Sequence, residues 1–383
     1  MSGPLSDLRI IELAGLGALP YGSLRLADMG ADVIRVERLG DVPASDARTP
    51  KAYSTWDRGR RSIAVDLKQP AGVETVLALA EGADVFLEAF RPGVVERLGV
   101  GPDEVLERKA DIVYGRLTGW GQTGRLASTA GHSLNYEAIT GVIDAIGPRD
   151  GAPVPLLQVL GDFAGGGLTL AYGVMCALWE AKRSGQGQVI DVAMTDGVAS
   201  IASVFYGMQA GGFHRPERGT NLFDGGAPFY NVYECADGKH LSVAPIEGHF
   251  YQAFLETIGL GDADDLPAQY DRDRWPELTA RIASVIATRS RDDWAAVFEP
   301  TDCCVAPVLT FDEARAYGHH VDRETFVDGG PEIVPIPRLS RTPGVLDGRS
   351  PHWPGADTDE VLAEAGWSAE TVERLRNDGV IDG

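Results

Sequence analysis

The strongest constraint on what this chain can fold into is a strand–helix–strand rhythm in its first third. Leu8 to Leu13 is an apolar run of strand length, Leu19 to Met29 presents Leu24, Leu26, Ala27 and Met29 as a packing face, and Asp32 to Glu37 is a second strand. This is a βαβ unit. The pattern recurs: Ile63 to Leu67 predicts a strand, Pro70 to Glu81 a helix opened by its proline, Asp84 to Phe90 a strand, and Asp111 to Thr118 another. Strands that alternate with helices predict an α/β fold, with a mostly parallel, Rossmann-like sheet covered by helices on both faces.

Further along, Phe163 to Arg183 predicts the longest helix, with Asp162 at its N-cap and Lys182-Arg183-Ser184-Gly185 as a stop signal. Its uncharged part, Phe163 to Trp179, falls just short of a membrane span and reads as a buried core helix. Gln188 to Met194 returns as a strand, and Thr195 to Gly211 reads as helical before a glycine-rich linker to Pro228. The texture then changes. Phe229 to Cys235 and Lys239 to Ala244 flank Ala236-Asp237-Gly238, a hairpin signal, and helices follow at Phe250–Ile258, Arg274–Arg289 and Arg291–Phe298. A second, smaller α+β domain is expected from about Pro228 to about Phe326. Gly329 to Pro354 is proline-rich and extended, and a last helix is expected over Ser368 to Asn377.

The chain has 383 residues and a net charge of −22, which argues against nucleic-acid or anionic-membrane partners. An anionic ligand then requires arginines gathered locally. Such a set exists: Arg38, Lys68, Arg91 and Arg97 fall near the ends of the first strands, where doubly wound sheets bind ligands. Solvated surface charge is the bland alternative; a polyphosphate would use several of these donors. The first βα turn, Gly15-Leu16-Gly17-Ala18-Leu19-Pro20 with Glu37 downstream, begins like a dinucleotide fingerprint, but Pro20 stands where the third glycine belongs. Glycines for a tight turn explain it better than an NAD site. The four cysteines have no metal-ligand spacing, so no metal site is expected, and they suit a reducing compartment. Met1 to Leu5 has no basic n-region and the C-terminus no targeting signal, so a cytoplasmic location is expected.

Two glycine-set residues carry the chemistry. His132 lies in Ala130-Gly131-His132-Ser133-Leu134-Asn135-Tyr136, too polar a setting for a packed core histidine. Histidine is the residue type that gains and loses a proton most readily near neutral pH, which suits reversible proton transfer. Asp162 lies in Gly161-Asp162-Phe163-Ala164-Gly165-Gly166-Gly167, where amides at a helix start could also stabilise a developing anion. Glu247, in Pro245-Ile246-Glu247-Gly248-His249, reads from the residues alone as an acid opening the next helix.

Taken together these segments resemble the α-methylacyl-CoA racemases of the family III CoA-transferase superfamily. The resemblance spans nearly the whole chain. It includes Gly3-Pro4-Leu5-Ser6-Asp7-Leu8-Arg9-Ile10-Ile11-Glu12-Leu13, Gly30-Ala31-Asp32-Val33-Ile34-Arg35-Val36-Glu37-Arg38, Arg91-Pro92-Gly93-Val94-Val95-Glu96-Arg97-Leu98-Gly99, Thr118-Gly119-Trp120-Gly121-Gln122-Thr123-Gly124, the Gly161–Gly167 and Gly185–Asp191 runs, and Tyr233-Glu234-Cys235-Ala236-Asp237-Gly238. It implies an interlocked homodimer. Each chain would have a large α/β domain of residues 1–194 and 330–383, a helical linker over 195–227 and a small α+β domain over 228–329. It implies a coenzyme A thioester as substrate and no separate cofactor. Arg38, Val65, Asp66, Leu67, Lys68, Ala89, Phe90, Arg91 and Arg97 would contact coenzyme A, and Gly131, Ser133, Leu134, Asn135 and Tyr136 would line the thioester. His132 and Asp162 would be the two acid/base residues of a 1,1-proton transfer through an enolate. Glu247 would orient His132, from the partner's small domain.

Many racemases of this kind have aspartate where this chain has Ser133. Three rivals are open: a family III CoA-transferase with Asp162 as nucleophile, a non-catalytic acyl-CoA-binding dimer, and an NAD-dependent dehydrogenase.

Overall fold

A computed structural model describes residues 3–44 and 56–383; Met1 and Ser2, within the stretch read for a leader, lie outside it. The chain divides into two compact units. One comprises Met1–Thr140, Leu156–Ile201 and Glu332–Gly383, the other Gly141–Pro155 and Ala202–Pro331.

The first unit holds β1 (Arg9–Leu13), α1 (Ala18–Ala27), β2 (Asp32–Arg38), β3 (Arg60–Val65), α2 (Pro70–Glu81), β4 (Val85–Glu88), α3 (Val94–Leu98), α4 (Pro102–Arg108), β5 (Val113–Thr118) and α5 (Ser133–Ala138). A π-helix (Val159–Leu168), α6 (Thr169–Ser184), β6 (Val189–Ala193) and α7 (Met194–Ile201) follow. The second unit contributes α8 (Ser203–Ala210), β7 (Asn231–Glu234), β8 (His240–Val243), α9 (Gly248–Thr257), α10 (Trp275–Ile286), α11 (Arg291–Phe298), β9 (Val305–Pro307), α12 (Phe311–Ala316) and α13 (Gly318–Asp322). The chain returns to the first unit with α14 (Thr358–Glu364), α15 (Ala369–Asn377) and β10 (Ile381–Asp382).

The first unit is a seven-stranded sheet in the order β10-β3-β2-β1-β4-β5-β6, all parallel except β10, which runs antiparallel to β3. Its central strands are buried on both faces, as the near-continuous Val/Ile/Leu runs require. Alternate residues feed opposite cores. Ile11, Ile34 and Phe86 pack with α2, α4, α14 and α15, while Ile10, Val33 and Val85 pack with α1 and α6. The α/β expectation holds. In the second unit, β7, β8 and β9 form an antiparallel sheet over a core that includes Phe254, Trp275, Ile282 and Trp294. The hairpin turns at Gly238, whose φ of +74° only glycine adopts readily.

Two local expectations are corrected. Thr195 to Gly211 is not one helix: it breaks at Ala202, the residue at which the chain passes from one unit to the other. And Asp162 is not the N-cap of an α-helix. It lies inside the π-helix that runs into α6. The wider coil follows from contacts only glycine permits. A Cβ on Gly167 would lie 2.7 Å from the Ala18 carbonyl, and one on Gly165 3.0 Å from the Val198 amide. The helix backbone is thus held directly against α1 and α7, and π-turns of this kind concentrate at functional sites.

The helical run Val159–Ser184 is long and apolar enough to cross a membrane. One face, with Leu170, Val174 and Ala177, is instead packed on the sheet. The expectation of a buried core helix holds for that face alone, since Tyr172, Met175 and Trp179 on α6 are exposed.

Candidate active site

The sheet order reverses direction at β1: the chain moves outward through β2 and β3, then returns to place β4 on the other side. A crevice opens at the carboxyl ends of strands at such a point, and ligands bind there. The segments leaving β1 and β4, Ala14 to Gly17 and Ala89 to Arg91, line it. Two cavities of about 660 and 780 Å³ adjoin, sharing Ala14, Arg38, Phe90 and Arg91.

The first-strand cations border the outer cavity. Arg38 ends β2, Lys68 follows β3, Arg91 follows β4, and Val65, Asp66 and Leu67 complete that wall. Arg97 sits on α3 beside it, exposed, with its guanidinium against Gly93. Elsewhere in the described residues most arginines are tied to carboxylates, such as Arg58 to Asp28 at 2.9 Å and Arg116 to Glu88 at 2.8 Å. Arg38, Lys68, Arg91 and Arg97 form no ion pair among the described residues. In a chain of net charge −22, four cations without a carboxylate partner among the described residues, three of them lining this crevice, could hold an anion.

His132 and Asp162 both line the inner cavity. His132 is exposed and opens α5, its backbone N–H donating to Asn135 Oδ1 at 3.0 Å. Asn135 therefore fixes the histidine's backbone. Asp162 projects toward the start of α1, so close that a Cβ on Gly17 would lie 2.9 Å from its Oδ2. Gly17 also has φ of +66°. Its glycine serves room for the carboxyl as well as the turn. Burial pushes the Asp162 carboxyl above the usual carboxylate range; Glu137 adds to the rise and His132 opposes it. Tyr136 packs edge-on to Trp120, with centroids 4.7 Å apart, and its hydroxyl donates to the Gly131 carbonyl. Burial and the Asp162 charge push its phenol upward, with Arg91 opposing. Gly131 leaves space for both rings, since a Cβ there would lie 2.7 Å from Tyr136 and 2.9 Å from Trp120.

Of the residues singled out in the sequence, Arg38, Val65, Asp66, Leu67, Lys68, Ala89, Phe90, Arg91, Gly131, His132, Tyr136 and Asp162 come together on these two cavities. Ser133 is buried behind the wall and Leu134 is exposed, while neither lines a cavity; nor does Asn135. Glu247 belongs to the second unit. It is the N-cap residue of α9, with its carboxylate exposed and making no hydrogen bond among the described residues. Gln158, Met194 and Trp120 line the inner cavity without having been anticipated. So did Glu137 escape notice, although a carboxylate four residues after Ser133 on a short helix was a visible signal. No cluster of metal-ligating residues occurs among the described residues.

The switch-point crevice thus brings cations to one end and an imidazole and a carboxyl to the other. The profile of CoA-transferase family III matches residues 5–358, and the chain belongs to that family. It is 41% identical over 381 residues to α-methylacyl-CoA racemase of Mus musculus, covering 99% of this chain and 97% of that one. It is 39% identical, with the same coverage, to α-methylacyl-CoA racemase of Homo sapiens. A CAIB/BAIF family protein from Brucella suis superposes with a TM-score of 0.81 at 25% identity, covering 95% of this chain and all (100%) of that one.

Proposed function

We propose that this chain is an isomerase, a racemase interconverting (2R)- and (2S)-2-methylacyl-CoA thioesters. The observation that carries the reading is the pairing, in one crevice, of His132 and Asp162 with a set of unpaired cations. The cations would hold the phosphates of the coenzyme A moiety, with the nucleotide against Val65 to Lys68. That would leave the thioester between His132 and Asp162.

Removing the proton α to a thioester leaves an enolate whose charge rests mainly on oxygen. For one enantiomer neutral His132 takes the proton and protonated Asp162 returns one to the opposite face. For the other, Asp162 carboxylate is the base and His132 imidazolium the acid. The elevated Asp162 carboxyl supports this reading, because a base and an acid trade roles best when their proton affinities lie close. No further cofactor enters the scheme. Glu247 would orient His132 from the partner's second unit in an interlocked homodimer. The exposed apolar face of α6, with Tyr172, Met175 and Trp179, supports self-association. Four free cysteines suit a reducing cytoplasm, and lipid metabolism is the setting such a substrate implies.

The test is to supply a 2-methylacyl-CoA in deuterated water. Exchange of the α-hydrogen with loss of configuration is expected, and His132→Ala should slow it by about 10²–10⁴-fold. A substrate that stays protonated at Cα, with coenzyme A passed to a free carboxylic acid and hydroxylamine trapping an acyl group on Asp162, would assign the chain to the transferases.

A further inference from the structure

Glu137 is a fully buried carboxylate (0% exposed) beside the crevice that the scheme above does not use. Its Oε1 accepts two hydrogen bonds, from Ser133 Oγ and from the Gly161 N–H, both at 2.8 Å. The Ser133 hydroxyl in turn accepts the Asp162 N–H at 3.1 Å. Glu137 Oε2 has no hydrogen-bond partner among the described residues. These bonds answer a specific need. The first amides of a helix have no carbonyl behind them. Phe163 reaches the Gln158 carbonyl at 3.2 Å, whereas the Gly161 and Asp162 amides are taken by α5.

We propose that Glu137 and Ser133 form a positioning pair for Asp162, capping the π-helix from α5 and holding a fixed negative charge behind the acid/base carboxyl. This rests on the racemase reading. Capping alone would not call for a charge, since an amide would accept the same bonds without the cost of a half-satisfied buried carboxylate. The charge has a use in this site. It disfavours ionisation of Asp162 and so populates the protonated form that delivers a proton to the enolate.

Other groups do not supply this field. From α5 the Asp162 carboxyl also faces His132, which acts oppositely, and the phenol of Tyr136. From α1 it meets Gly17, while Tyr21 stacks on Phe163 at 4.7 Å. α7 turns Met194, Gly197 and Val198 inward and leaves Asp196 exposed, and Asp191 of β6 is taken by the Gln122 amide.

Glu137→Gln keeps an acceptor at Oε1 and removes the charge. Deuterium exchange is read against pH in both directions. In Glu137→Gln the limb belonging to Asp162 should move to lower pH while the limb belonging to His132 stays. A profile superimposable on wild type overturns the proposal. Ser133→Ala should lower kcat about tenfold or more with KM held and the pH limb in place, and Ser133→Thr should restore it. Wild-type kcat in Ser133→Ala overturns the positioning role, and decides the matter if Glu137→Gln does not fold. If wild type exchanges no α-proton, the racemase reading has failed separately. The pair is then judged by ¹³C titration of the Asp162 carboxyl, assigned by its loss in Asp162→Asn. A downward shift in Glu137→Gln supports the pair and an unmoved titration overturns it.

Discussion

At the scale of single residues, the crevice is shaped by side chains that are missing as much as by those present. Gly17 combines a left-handed backbone with contact to Asp162 Oδ2, so Gly17→Ala introduces strain and displaces the carboxyl together. We expect kcat for α-proton exchange to fall about 100-fold, with a smaller change in KM. Asp162 itself can be tested through stability. Its carboxyl is raised in the fold by burial and Glu137. Its favourable contribution is therefore complete below the ordinary carboxylate range and is lost as pH rises through the raised value. Asp162→Asn cannot ionise, so its thermal midpoint should exceed that of wild type at neutral pH, and the gap should close on acidification. His132 and Asp162 were legible in the sequence because glycines flanked both and neither residue suited an apolar core. Glu137 was legible only in part: its spacing from Ser133 on one short helix was visible, but only the fold brings Gly161 within its reach.

At the scale of elements, the π-helix is the part whose geometry the site depends on. Residue spacing predicts a helix over this stretch but not its pitch. Four glycines (Gly161, Gly165, Gly166 and Gly167) leave too few side chains to mark a period. The pitch is set from outside, by backbone-to-backbone packing on α1 and α7. Gly197 is the tightest of these contacts, as a Cβ there would overlap the Gly165 carbonyl oxygen. Gly197→Ala should lower unfolding free energy by about 2 kcal/mol in a urea titration and should also slow exchange, since the helix that moves carries Asp162. Strands were more legible than helices of this kind. β4 and β5 are buried throughout and β1 beyond Arg9, so their apolar residues had one explanation. The break at Ala202 was not, because Thr195 to Gly211 contains no proline and reads as one continuous helix; the division into two units interrupts it.

At the scale of the whole molecule, the order of βα units was legible from the first 118 residues, and with it the placing of cations at strand ends. The association state belongs here too. The outward face of α6 carries Trp179, which is 69% exposed, and Tyr172, which is 72% exposed. Trp179→Glu places a charge at that face, and in the proposed interlocked homodimer we expect the thermal midpoint measured by calorimetry to fall relative to wild type. β10 escaped the sequence reading because a two-residue strand carries no alternation. Its position has a consequence for biosynthesis. Ile381 pairs with Val65 across an interval of more than three hundred residues, and α14 and α15 pack on the same sheet face as α2. A ribosome working from the N-terminus therefore releases β1 to β6 long before the pieces that complete their cover, and makes most of the second unit in between. During that interval β3 presents an unpaired edge and an apolar face that α2 covers only in part, the features by which nascent strands misassociate. β10, α14 and α15 thus close a sheet whose other strands come far earlier in the chain, and early shielding of β3 would guard it until they emerge.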